Sequence, residues 1–204
     1  MTGHVVTTEA ELDELYGTPV EASLIKEVPG LTAPYRAFVE AAPFFALATV
    51  AAEGLDCSPR GDPAGFVRVL DDRTLAIPDR RGNNRIDSLR NIIRDPRVAL
   101  MFLIPGKGEA LRINGRACIS TDPALCESFA VDGHLPRTVI LVAIDTVYFQ
   151  CARALIRSGL WTPETWPVTE TLPTAGQMLK AARQDFDAAG YDAEAVTRLP
   201  RTLY

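Results

Sequence analysis

Histidine is almost missing from this chain: His4 and His134 are the only two in 204 residues. With so few imidazoles, neither a zinc site nor a histidine-based catalytic triad is expected, and no metal is assigned. Cysteine is scarce and scattered. Cys57, Cys118, Cys126 and Cys151 form no C-x-x-C pair, so in a reducing compartment they are expected as buried small hydrophobes. Cys151 is read the same way, as a packed thiol among apolar neighbours rather than a redox group. Positive charge is in deficit, with 21 Lys and Arg against 26 Asp and Glu and a formal net charge of −5. No basic stripe lies outside one central turn, which argues against a nucleic-acid partner. No apolar run approaches the roughly 20 residues that span a bilayer. The opening MTGHVVTTEAELDELYG is acidic and lacks an apolar signal core, so the expectation is a cytoplasmic protein with no membrane partner. Walker and dinucleotide glycine patterns are also lacking.

What is present concentrates in Leu75 to Ile92, LAIPDRRGNNRIDSLRNI. A short apolar run ended by Pro78 predicts a strand. Asp79 to Asn84 predicts a donor-rich turn bent at Gly82. Ile86, Leu89, Ile92 and Ile93 at helical spacing predict a helix starting near Asn84. A strand, a basic turn and a helix N-terminus together form an anion site, because the first helical N–H groups are free and arginine forks bind phosphate bidentately. Arg80, Arg81, Arg85 and Arg90 reverse the chain's overall sign here. Spacing alone leaves two readings open: a phosphate site, or an exposed turn whose arginines are neutralised by Asp79 and Asp87.

Around this stretch, 47% hydrophobic content over 204 residues suits one domain with added arms. Thr8-Glu9-Ala10-Glu11 has the form of a capping box opening a short helix that ends at Gly17. Ala22–Val28 and Tyr35–Ala42 also read as helical, giving an N-terminal helical arm over 1–43. From Phe44 the pattern turns to β. Runs at Phe44–Ala51, Leu55–Ser58, Phe66–Leu70, Thr74–Ile77, Arg97–Ile104, Leu111–Ala117 and Thr138–Phe149 are separated by turn residues. Pro59 to Pro63 reads as a rigid connector, and Asp122-Pro123 opens a short helix reaching Phe129. About six short strands with one inserted helix predict a mainly β (α+β) fold, a six-stranded antiparallel barrel over 44–150 with peripheral helices. Residues 151–204 form a C-terminal arm. Its pattern predicts a helix over Ala175–Ala189 with Gly190 just past its end.

Several motifs then resemble one family. They are F-A-L-A-T-V (45–50), S-P-R-G-D (58–62), P-D-R-R-G-N-N-R (78–85), S-L-R-N-I (88–92), D-P-R-V (95–98), L-R-I-N-G-R-A (111–117) and C-A-R-A-L-I-R-S-G-L-W (151–161). In register over about residues 10 to 165, they are similar to the pyridoxamine 5′-phosphate oxidase-related flavoproteins, in the branch with a P-D-x-x-G-N-N-R signature. The resemblance implies an FMN-binding split barrel, working as a homodimer with FMN in two clefts between subunits. Carried over by position, it implies that Arg80, Arg81, Asn83, Asn84, Arg85 and Ser88 hold the FMN phosphate. It places Phe66, Val67, Arg68, Pro78 and Asp79 near the isoalloxazine ring. Arg60 is read as reaching the ring or a substrate, or as an exposed turn residue. Arg112 points across the dimer cleft or is a solvated strand residue. Arg157 and Trp161 belong to a segment closing over the partner's cleft, or anchor the C-terminal arm. The tail RLPRTLY does not match the basic, aromatic segment that holds substrate phosphate in pyridoxamine phosphate oxidases, which weighs against vitamin B6 oxidation. The resemblance therefore implies an FMN-dependent oxidoreductase acting on a small molecule, with no catalytic residue assigned. The alternatives are an FMN or deazaflavin sensor without turnover, and a haem-binding barrel, which would need an axial ligand such as His134 or His4.

Overall fold

A computed structural model describes residues 4–204. Residues 1–3 of the arm read as 1–43 lie outside the described residues. Seven strands, β1 (Phe44–Ala51), β2 (Gly54–Gly61), β3 (Arg68–Asp71), β4 (Thr74–Pro78), β5 (Arg97–Leu103), β6 (Ala110–Ser120) and β7 (Val139–Gln150), form one antiparallel sheet. Its order is β2-β1-β5-β6-β7-β4-β3. The class is the mainly antiparallel split barrel expected, with seven strands where about six were read. The additional length lies in β2, which runs on through Pro59 and Arg60 to Gly61, the stretch read as a connector. Proline is tolerated there because β2 is an edge strand pairing only with β1, so the missing N–H falls on the free side.

The barrel closes on alternation. On β1, Phe45, Leu47, Thr49 and Ala51 turn inward while their neighbours stay half-buried. They meet Val98, Leu100 and Phe102 of β5, Leu111 and Ile113 of β6, and Ile140, Val142 and Val147 of β7. Phe45 stacks between Phe66 at 5.9 Å and Phe102 at 4.9 Å between ring centroids. A bulge at Asn114/Gly115 bends β6 against β7. A Cβ on Gly115 would lie 2.2 Å from the Ala143 carbonyl oxygen, so only glycine fits there. β5 was read as apolar on both faces, yet Arg97 and Met101 are exposed on its outer side.

Helix α1 (Glu9–Tyr16) carries the full capping box, with Thr8 Oγ1 accepting from the Glu11 N–H and the Glu11 side chain accepting from the Thr8 N–H. Helices α2 (Glu21–Ile25) and α3 (Ala33–Ala41) follow, and Arg36 of α3 reaches Asp72 at 3.0 Å. Helix α4 (Asp87–Arg94) drops Leu89 and Ile92 into the barrel. Helix α5 (Pro123–Ser128) covers the other face of β4 and β7, where Cys126 and Phe129 pack on Ala76 and Val139. Beyond β7 lie α6 (Arg153–Ser158), α7 (Ala175–Ala182) and α8 (Ala188–Arg198). The single helix expected over Ala175–Ala189 is therefore two. Chain reversal at Arg183–Asp187 separates them, and Gly190 sits inside the first turn of α8, where its N–H is capped by Asp187. Cys126 alone among the four thiols is buried. Cys57 and Cys118 are exposed, and so is Cys151, which sits where β7 ends in an open turn; burial was the wrong expectation for these three.

Candidate functional site

β2 alternates as the barrel strands do, but with polar residues on its inner side. Leu55, Cys57 and Pro59 face out, while Asp56, Ser58 and Arg60 line a cleft. The other walls are the end of β4 with the turn to α4 (79–88), and the loop 133–138 that leads into β7. The cleft measures about 1080 Å³, at the upper end of small-molecule and cofactor sites. Five arginines line it (Arg60, Arg80, Arg81, Arg85 and Arg137) against three aspartates (Asp56, Asp79 and Asp87). In a chain of net charge −5, that inversion makes the cleft an anion attractor.

The turn does not lead straight into a helix, as its spacing suggested. Asn84 and Ile86 both adopt left-handed backbone conformations, with φ of 61° and 52°. Helix α4 therefore begins at Asp87, three residues later than read. An isoleucine there is strained, since its branched Cβ crowds the backbone. Asn83 Oδ1 accepts from the Arg85 N–H at 3.0 Å, closing a local turn. Arg85 Nε donates to Asp87 at 2.7 Å, and that bond raises its already high pKa. Ser88 is buried and donates to Asp56 Oδ2 at 2.6 Å, which also accepts from Ser58. The neutralised-turn reading is thus true of some arginines and not of others. Among the described residues, Arg81 and Arg137 make no ion pair and stand exposed in the cleft.

Arg80 differs from its neighbour. Its Nε donates to Asp62 at 2.7 Å and its Nη1 to the Phe129 carbonyl at 2.8 Å. The pair is enclosed, with Asp62 4% and Arg80 16% exposed at the side chain. Tyr204 completes it. Its hydroxyl donates to Asp62 Oδ1, which pushes the phenol pKa up, and its ring lies 5.2 Å from the Arg80 guanidinium. Arg80 is a strut joining the turn to β2, α5 and the tail.

The structure brings Arg60, Asp79, Arg80, Arg81, Asn83, Asn84, Arg85 and Ser88 to one cleft. Phe66, Val67 and Pro78 lie in the barrel interior, outside the lining. Arg68 lies over Phe129 and donates to the Ser128 hydroxyl at 2.6 Å and to its carbonyl, at the end of α5. Arg112 stacks on Tyr148 of β7, 4.9 Å from the ring centroid. Trp161 Nε1 donates to the Lys107 carbonyl at 2.9 Å, tying the C-terminal arm to the β5–β6 turn, and Arg157 is exposed on α6. Sequence reasoning missed Asp56, Ser58, His134, Arg137, Thr138 and Tyr204. The first two had a readable signal, the period-two D-x-S-x-R of β2; the others reach the cleft only through folding of distant loops. Burial raises the Asp79 carboxyl above its ordinary value, with nearby Arg60 opposing the shift.

The chain matches the pyridoxamine 5′-phosphate oxidase family over residues 31–151, a span that contains the whole sheet and stops short of α6. No curated protein matches it. Solved structures do. Group A Streptococcus HupZ is 21% identical, with 57% of this chain and 91% of that one covered and a TM-score of 0.46. General Stress Protein 26 of Bacillus anthracis is 18% identical, with 55% and 88% covered and a TM-score of 0.42. An FMN-binding protein of Syntrophomonas wolfei is 9% identical, with 56% and 82% covered and a TM-score of 0.43. Among the described residues no helix is long and apolar enough to cross a membrane.

Proposed function

This chain belongs to the pyridoxamine 5′-phosphate oxidase family, and on that premise we propose that it binds FMN in the arginine-lined cleft and acts as a cytoplasmic FMN-dependent oxidoreductase on a small molecule. The observation that carries the reading is the unpaired Arg81 beside Asn83, Asn84 and Arg85, at the start of α4 in a net-negative chain. The donor set fits a phosphate ester: guanidinium forks, side-chain amides and the free N–H groups of a helix start. Arg81 and Arg85 supply charge, Asn83 and Asn84 supply directed donors, and Arg80 keeps the turn aimed by holding Asp62. Ser88 serves through Asp56, fixing that carboxylate at the helix start. FMN, when bound, supplies two-electron redox chemistry. The protein's part is to bind, orient and exclude water, and Asp79, with its raised pKa, can hold a proton in the cleft.

Homodimerisation is part of the proposal. It is supported by apolar side chains left uncovered on the N-terminal arm, including Leu15, Tyr16, Leu24 and Ile25, at 59% to 83% exposure. In a dimer these would cover the partner, and Arg112, Arg157 and Trp161 would lie near the partner's cleft. Light scattering that finds monomer alone removes those roles.

The visible spectrum of purified protein tests the cofactor, with the chromophore released by heat and identified by mass. FMN near one per subunit, lost in an Arg81→Ala/Arg85→Ala variant, is the expected result. Colourless protein that does not rebind FMN overturns it. His134 lines the same cleft and favours the haem alternative, which a Soret band in place of flavin bands would establish. Reduction by NADPH and reoxidation in air then separate an enzyme from a sensor, which shows neither at useful rates.

A further inference from the structure

Two side-chain polar atoms are buried without a hydrogen-bond partner among the described residues: Arg60 Nε and Thr138 Oγ1. Both residues line the cleft, and they come from separate elements. Arg60 closes the inner row of β2. Thr138 stands just before β7, beside Asp79, whose N–H donates to the Thr138 carbonyl at 2.9 Å. An unmade bond at a buried donor is costly, and proteins that keep two such atoms facing one cavity gain when a ligand supplies the partners.

The guanidinium geometry narrows what that ligand offers. Arg60 Nη1 faces Asp79 Oδ1 at 3.6 Å, which leaves the Nε–Nη2 edge. That edge presents two parallel N–H donors, spaced for two adjacent acceptors in one plane. Thr138 adds a hydroxyl that can donate or accept. A phosphate dianion is a poor occupant, because the Asp79 carboxyl already sits against the same guanidinium.

We propose that Arg60 and Thr138 form a second subsite, separate from the Arg81–Arg85 turn, that takes a planar pair of acceptor atoms. Two sources carry this chemistry: the carboxylate of a substrate, or the N1–C2=O edge of an oxidised flavin. Only the second rests on the FMN reading. The subsite makes the cleft two-ended, with a tetrahedral anion at the turn and a flat acceptor edge between β2 and β7.

The test compares wild type, Arg60→Lys, Thr138→Val and Thr138→Ser as full-length proteins. FMN and riboflavin are titrated by fluorescence, and benzoate, as a carboxylate probe, by saturation-transfer NMR. Arg60→Lys keeps charge but loses the paired edge; Thr138→Ser keeps the hydroxyl and is expected to behave as wild type. If the flavin edge is the occupant, Arg60→Lys and Thr138→Val weaken FMN and riboflavin by the same factor, about tenfold or more. If a substrate carboxylate is, flavin affinities hold while benzoate binding is lost in those two variants. Wild-type affinities of all three ligands in both variants, or no binding of any to wild type, overturn the subsite. Benzoate binding by a wild type that takes neither flavin overturns the FMN reading and leaves the subsite standing.

Discussion

The barrel interior and the turn that borders it are built on opposite terms. Inside, Phe45, Leu47, Phe102, Leu111 and Ile113 are wholly buried and meet one another through regular ladders. A few residues away, Arg81 to Ile86 are all exposed, two of them in left-handed conformations, with side chains aimed at open space. The interior stabilises the fold through apolar area removed from water. The turn contributes little to stability and holds charge and strain in place. Stability and ligand chemistry are thus separable in this molecule, and Arg80 is the residue that joins them.

The largest effect is expected in the interior. Phe102→Ala removes a ring packed on Phe45 and should cost about 3–5 kcal/mol in denaturant unfolding. Arg81→Ala should cost almost nothing in the same assay; an equal loss would break the contrast. Arg80→Ala comes next, at about 2–3 kcal/mol, because it leaves Asp62 buried without its cation. Its neighbour's silence beside that loss would show that the joint is one residue wide. Ile86→Asn should stabilise by about 1 kcal/mol by relieving left-handed strain, a rise of roughly 2–4 °C in Tm for a chain of this size. The smallest effect is in pH. Asp79 has a native pKa above its ordinary value, so its contribution is complete below the usual aspartate range and is lost as pH rises through the native value. Asp95, held at about 2 by hydrogen bonds from Arg97, contributes above that range and is lost as pH falls toward 2. Melting curves of Asp79→Asn and Asp95→Asn across that interval should diverge from wild type in opposite directions.

Much of this was legible along the chain because it is local. Alternation announces the strands, and the capping box at Thr8 and the break at Asp95-Pro96 need only their neighbours. The basic turn was legible as a cluster of charge. Its partition was not. Nothing near Arg80 and Arg81 tells which one turns inward, because the deciding groups are Asp62, Phe129 and Tyr204, 18 residues upstream and far downstream. The late start of α4 was hidden for a related reason: Ile86 has helical spacing, and only tertiary packing holds its backbone left-handed. The split of α7 from α8 also escaped the periodic pattern, although Thr174 and Gln177 carry a capping box that marks the first of them.

Pro59 has a bearing on how the molecule behaves in a crowded solution. β2 ends one side of the sheet, and a bare edge is a template on which a neighbouring chain can add a strand. Proline offers no N–H to such a newcomer, and its ring stands where the incoming backbone would lie. The edge beside the cleft is therefore closed to stacking growth, so a polar row of ligand-facing side chains can sit on a border strand without seeding aggregates.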